Sequence, residues 1–158
     1  MATSTIVSVN ATVTAAPAPS QLQQSGALVS EGGTTLSSGT YQYCATLAQL
    51  TALLSTAGNY VELGHMASTY FAQGNAVGVY VLELGTQSTA PLGITALQTW
   101  ITANPQVFYA YLTPANWDGS AAAFNTMAAL FSSPTSKTYF FATTSSGTIS
   151  AYAPTTKA

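Results

Sequence analysis

Val77-Gly78-Val79-Tyr80-Val81-Leu82-Glu83-Leu84 is almost continuously apolar and rich in β-branched residues. A short run of this kind predicts a strand buried on both faces, as in a parallel sheet covered by helices. On its C-terminal side the hydrophobic period changes and then changes back. Pro91 suits the first turn of a helix, and Ile94, Leu97 and Ile101 form a narrow stripe that ends at Asn104-Pro105. A second strand is predicted over 106–112. Asp118 stands where it would cap a helix over 118–132, with Phe124, Met127, Ala128 and Phe131 on one face and Ser132-Ser133-Pro134 closing it. A third strand is predicted at 138–142, a turn at Ser145-Ser146-Gly147, and a short further strand at 148–152.

On the N-terminal side, Leu47, Leu50, Leu53 and Leu54 are spaced as one helical stripe, broken by Gly58-Asn59. Leu63, Met66, Ala67, Tyr70 and Phe71 come next at i, i+3, i+4, i+7 and i+8, and Gly74-Asn75 ends that helix. Strands alternating with helices over short links predict an α/β fold. The expected sheet has three or more strands, is mainly parallel, and is flanked by helices joined through right-handed crossovers.

Before the first helix the pattern is different. In residues 4–14, Thr5, Val7, Val9, Ala11 and Val13 share one face, and Ile6, Ser8, Asn10, Thr12 and Thr14 the other. Period-two alternation in β-branched residues is the mark of a half-buried strand. Pro17 and Pro19 stop it. Gly26, Gly32, Gly33 and Gly39 then punctuate residues 20–39, around a short strand expected at Ala27-Leu28-Val29. The expected organisation is an extended, β-forming N-terminal arm over 1–38 and an α/β domain over 39–158. Ile6, Val7, Val9 and Val13 are the arm residues expected to carry pairing with a neighbouring subunit.

Composition narrows the function. The 158 residues are 47% hydrophobic but only 4% charged, with two Lys, no Arg, four acidic residues and one His. Soluble domains usually carry about 25% charged residues. Two cations, Lys137 and Lys157, are too few to neutralise a run of phosphates or to hold an anionic membrane surface, so neither nucleic acid nor membrane is an expected partner. No apolar run reaches the eighteen residues of a spanning helix, and the N-terminus has no basic region with an apolar run behind it. Asn10-Ala11-Thr12 fits a glycosylation sequon without that secretory context. A surface of Ser, Thr, Gln, Asn and Ala has little mutual repulsion and suits dense packing against copies of the same chain.

Catalytic chemistry finds little material. Glu62 and His65 share a helix face, but one Glu-x-x-His is half of a di-iron arrangement and the second half is missing. Cys44 is the single cysteine and reads as a small buried thiol, with His65 the sole candidate base. There is no Gly-x-Ser-x-Gly elbow, no His-Glu-x-x-His and no phosphate loop. The segments after the strands, Gly85-Thr86-Gln87-Ser88-Thr89, Thr113-Pro114-Ala115-Asn116 and Thr143-Thr144-Ser145-Ser146-Gly147, offer no general base. No enzyme activity, cofactor, metal or catalytic residue is expected. Tyr41, Tyr43, Trp100 and Trp117 lie near element ends, where some are expected at subunit contacts.

The order of these segments is familiar. Gly26-Ala27-Leu28-Val29-Ser30-Glu31-Gly32-Gly33-Thr34-Thr35 precedes the Leu-rich helix at 46–54. Then come Met66-Ala67-Ser68-Thr69-Tyr70-Phe71-Ala72-Gln73, the strand at 77–84, Asn104-Pro105-Gln106-Val107-Phe108-Tyr109-Ala110-Tyr111-Leu112 and the strand at 138–142. This succession resembles the N-terminal part of contractile tail sheath proteins of bacteriophages. The resemblance implies a virion structural protein, assembled in the cytoplasm of a bacterial host. Its subunits would stack as rings linked by exchanged arms, with copies of itself and a tail tube protein as partners. Sheath proteins are usually several times longer, with a C-terminal part that faces the tube. The alternatives are another virion component (tube, fibre or decoration protein) and a small flavodoxin-like ligand-binding module.

Overall fold

The computed structural model describes residues 26–74, 77–105, 107–131 and 140–142. In chain order the elements are β1 (Gly26–Ser30), β2 (Tyr41–Cys44), α1 (Leu47–Leu53), α2 (Tyr60–Ala72), β3 (Val79–Glu83), α3 (Ala90–Ala103), β4 (Ala110–Leu112), a 3-10 turn (Ala115–Ser120), α4 (Ala121–Leu130) and β5 (Phe140–Ala142). The five strands form one sheet in the order β2-β3-β1-β4-β5. β1, β3, β4 and β5 are parallel, and β2 runs antiparallel on the outer side of β3. The fold is thus of the α/β class, with a mixed sheet. None of its described helices is long and apolar enough to cross a membrane.

From β1 in the middle of the sheet the chain moves one way to β3, then crosses back over β1 to β4 and on to β5. A single hand of crossover puts helices from opposite directions of travel on opposite faces, and two separate cores result. α1 and α2 cover one face, where Leu28, Cys44, Leu50, Leu63, Ala67, Val79 and Val81 are buried together. α3 and α4 cover the other, burying Ala27, Val29, Leu82, Ile94, Leu97, Ile101, Phe108, Tyr111, Trp117 and Met127. The alternation of Ala27 and Val29 against Leu28 shows β1 contributing to both. The predicted stripes at Leu63 and Ala67 and at Ile94, Leu97 and Ile101 are the buried faces of α2 and α3.

The structure corrects the expected boundary of the arm. Residues 26–38 belong to the domain: β1 is the central strand, with Leu28 paired to Val81 on one side and to Leu112 on the other. A five-residue strand set among glycines has too short a hydrophobic pattern to announce itself as a sheet centre. Ile6, Val7, Val9 and Val13 lie outside the described residues, as do the expected strand at 148–152 and residues 138–139 of the third strand. β2 has no counterpart in the sequence reading, because Tyr41, Gln42 and Tyr43 are exposed and only Cys44 is buried. Asp118 does not cap a long helix; it lies within the 3-10 turn, and α4 begins at Ala121. β4 also starts later than expected. Phe108 leaves the ladder to pack its ring against Tyr41 and Tyr80, both at 5.1 Å, and over Trp100 at 5.8 Å.

Candidate functional site

In open α/β sheets, ligands bind beyond the carboxyl ends of the strands, where neighbouring connections leave in opposite directions. Here that point lies between β1 and β4. The connection after β1 and the connection after β4 both open there, and Glu31, Asn116 and Trp117 lie on them. All four acidic residues of the chain gather at this end of the sheet. Glu31 follows β1, Glu83 ends β3, Glu62 is in the first turn of α2, and Asp118 is in the turn after β4.

Glu83 is fully buried, at 1% exposure, and accepts five hydrogen bonds. Its Oε2 takes the Ser30 hydroxyl at 2.7 Å, the Thr34 hydroxyl at 2.7 Å and the Thr34 N–H at 3.1 Å. Its Oε1 takes the N–H groups of Gly32 at 2.7 Å and Gly85 at 2.6 Å. Gly32 and Gly85 have positive φ, 72° and 78°, which turns their N–H groups inward. A carboxylate is an acceptor with about four lone-pair positions, so this set of donors saturates it. The loop after the first strand is where dinucleotide-binding folds cradle a phosphate. In this chain its donors converge on an anion supplied by the neighbouring strand.

Glu31 is 7% exposed and reaches across to the β4 connection. Its Oε1 accepts the Trp117 Nε1–H at 2.8 Å and its Oε2 the Asn116 amide at 3.4 Å. Burial pushes its carboxyl above the ordinary value of 4.5; the bonds from Trp117 and Asn116 oppose that rise, and the charges of Glu62 and Glu83 add to it. Asn59 fastens the same corner, accepting the Glu31 N–H at 2.9 Å and donating to the Val29 carbonyl at 3.3 Å. Glu62 accepts the Ala115 N–H at 2.5 Å. Trp117 is wholly buried in the core beneath α3, so its indole occupies the crevice.

The other residues considered in the sequence lie apart from this cluster. His65 is exposed on α2. Cys44 is buried in the core under α1 and α2, and burial raises its thiol, which leaves it poorly suited to attack as a thiolate. The sequence reading missed Glu31 and Glu83. The signal for Glu83 was present as the one charged residue in the apolar run 77–84, and a lone acid in a buried strand requires donors.

The chain matches no family model, no curated protein and no solved structure. Its function must be inferred from its own residues.

Proposed function

We propose that the chain is a self-assembling structural subunit of a bacteriophage contractile tail, of the sheath type, in which copies stack as rings linked by exchanged arms. The observation that carries this reading is a sheet margin that no further strand and no charge protects among the described residues. β2 is an edge strand whose Tyr41 and Tyr43 are 39% and 46% exposed, and no charged residue occurs anywhere from 32 to 61. Soluble proteins usually blunt such an edge with Lys, Pro or an inward charge. An uncharged edge beside exposed tyrosines is suited to receiving another strand. The alternating sequence of residues 4–14 is of the matching kind, and as an extended strand it would span about 36 Å at ~3.3 Å per residue. The reading assigns no catalytic residue and no cofactor, and it places the protein in the virion, with a tail tube protein as a further partner.

Electron microscopy of the purified protein tests this directly. Rings, sheets or tubes are expected from the parent chain. Deletion of residues 2–16 is expected to leave a folded monomer that no longer assembles. An unfolded product would mean that the segment is part of its own domain's sheet, and a deletion variant that assembled as before would overturn the arm. Assembly should also change little between low salt and ~0.5 M, where the Debye length is about 4 Å, because there are few ion pairs to screen. Assemblies that dissolve over that range would contradict a lattice held by apolar burial and strand pairing.

One observation favours the rival reading as a ligand-binding module. The parallel strands follow the order of flavodoxin-like sheets, with the first strand central and the crossing back at its side. A specific small molecule that raised the melting temperature with the logarithm of its concentration above Kd would support that reading.

A further inference from the structure

The connection 114–120 spans the crevice between β1 and β4 and is tied to the first half of the domain through two acidic side chains. Glu31 holds Trp117 and Asn116, and Glu62 holds the Ala115 N–H. The connection cannot lift without withdrawing the Trp117 indole from the core. The groups that face the Glu31 carboxyl come from four elements: neutral Trp117 and Asn116 from the 3-10 turn, Glu62 from α2, Glu83 from β3, and Gly93 from the first turns of α3. Asp118 sits on the same 3-10 turn. None of these groups is a cation, and no Lys or Arg occurs among the described residues.

We propose that the connection 114–120 is a pH-responsive latch over the crevice, closed most tightly when Glu31 is protonated and loosened when it ionises. In the closed arrangement the carboxyl is buried beside two other acids; in the open one it meets water. A charge favours water over an apolar site, so ionisation weights the open arrangement. A protonated Glu31 retains its carbonyl oxygen for the Trp117 Nε1–H, so the tie survives protonation. Burial and the charges of Glu62 and Glu83 raise the closed-state value above 4.5. The extra stability of the closed latch is therefore complete below the open-state value and is lost as pH rises through the closed-state value. Opening uncovers the carboxyl ends of β1 and β4, the position where an α/β sheet takes a ligand. The latch works in the same way whether or not the chain assembles.

Backbone hydrogen exchange over 114–120, followed by mass spectrometry on the full chain and corrected for intrinsic rates, reads the opening ratio. Helix α3 serves as the reference segment. Between pH ~4 and ~8 the ratio at 114–120 is expected to rise severalfold, because burial and the facing acids raise the closed-state value. The α3 segment should stay level. Glu31→Gln should give a flat profile. Glu62→Gln keeps an acceptor for Ala115 and removes a facing charge, so its rise should level off at lower pH and be smaller. A parent profile that is flat or falls with pH overturns the latch, as does a rise left unchanged by both substitutions. If Glu31→Gln does not fold, the parent and Glu62→Gln profiles decide the matter.

Discussion

Glu83→Gln is expected to lower the melting temperature by about 10 °C, the equivalent of roughly 3 kcal/mol in a domain of this size. The substitution is nearly isosteric, so the loss comes from hydrogen-bond polarity alone. Both oxygens of Glu83 receive backbone N–H groups: Oε1 from Gly32 and Gly85, Oε2 from Thr34. Whichever way a glutamine amide is turned, its NH2 faces at least one donor that has nowhere else to go. A buried donor left without an acceptor costs about 1–3 kcal/mol, and bonds to a charged group are stronger than neutral ones. Glu83→Ala should be worse. It abandons all five donors and leaves a cavity, and the summed cost of about 5 kcal/mol or more approaches the whole stability of an ordinary domain. Glu62→Gln supplies the contrast. Its side chain is only half-buried and accepts the Ala115 N–H, a bond that the Gln carbonyl oxygen can also accept, so its change should stay below about 1 kcal/mol. Thermal or urea unfolding of the three variants checks this. A Glu83→Gln protein within about 0.5 kcal/mol of the parent would mean that the loop after β1 does not depend on the carboxylate.

The fold class was legible because its signals are periodic and long. The stripe Ile94, Leu97 and Ile101 on α3 and the apolar run of β3 each repeat a pattern over several residues, and each occupies its expected place in a core. The features that were not legible are local and brief. The short strand at Ala27-Leu28-Val29 was expected, but its central place was not, because pairing of a central strand is decided by its neighbours more than by its own length. β2 alternates nothing visible, since tyrosine and glutamine give no hydrophobic contrast. The carboxylate cluster was hidden for another reason. Glu31, Glu62 and Glu83 are far apart in sequence, and only the pairing of β1 with β3 and the packing of α2 against β1 bring them together. Scarcity of charge was the clue: in a chain with four acids, each buried one has a specific set of donors to account for it. The arm reading stands on residues 4–14 alone, which is why its test is deletion.

Gly93→Ala should destabilise the protein by about 2–4 kcal/mol, although the same change at an ordinary helix interior position stabilises by roughly 0.5–1 kcal/mol. Gly93 is in α3, and a Cβ placed on it would fall on Glu31 Oε1 and stand 2.7 Å from Cζ2 and 2.8 Å from Nε1 of Trp117. Neither neighbour is free to yield. The carboxyl is held by the indole N–H, and the indole is fixed in the core between α3 and the sheet. Accommodation requires α3 to shift outward or the Glu31–Trp117 bond to break. Overpacking of a tight site costs about 1–3 kcal/mol, and losing a buried bond to an acidic side chain adds about 1 kcal/mol or more. Gly64→Ala in α2 makes the comparison sharp, because a Cβ there would meet only Leu54 Cδ1 at 3.5 Å, an ordinary contact. That variant should gain the usual helix increment. The two alanines are therefore expected to move the unfolding midpoint in opposite directions. A Gly93→Ala protein as stable as Gly64→Ala would show that α3 does not press on Glu31 and Trp117, and the latch at 114–120 would lose the wall it closes against.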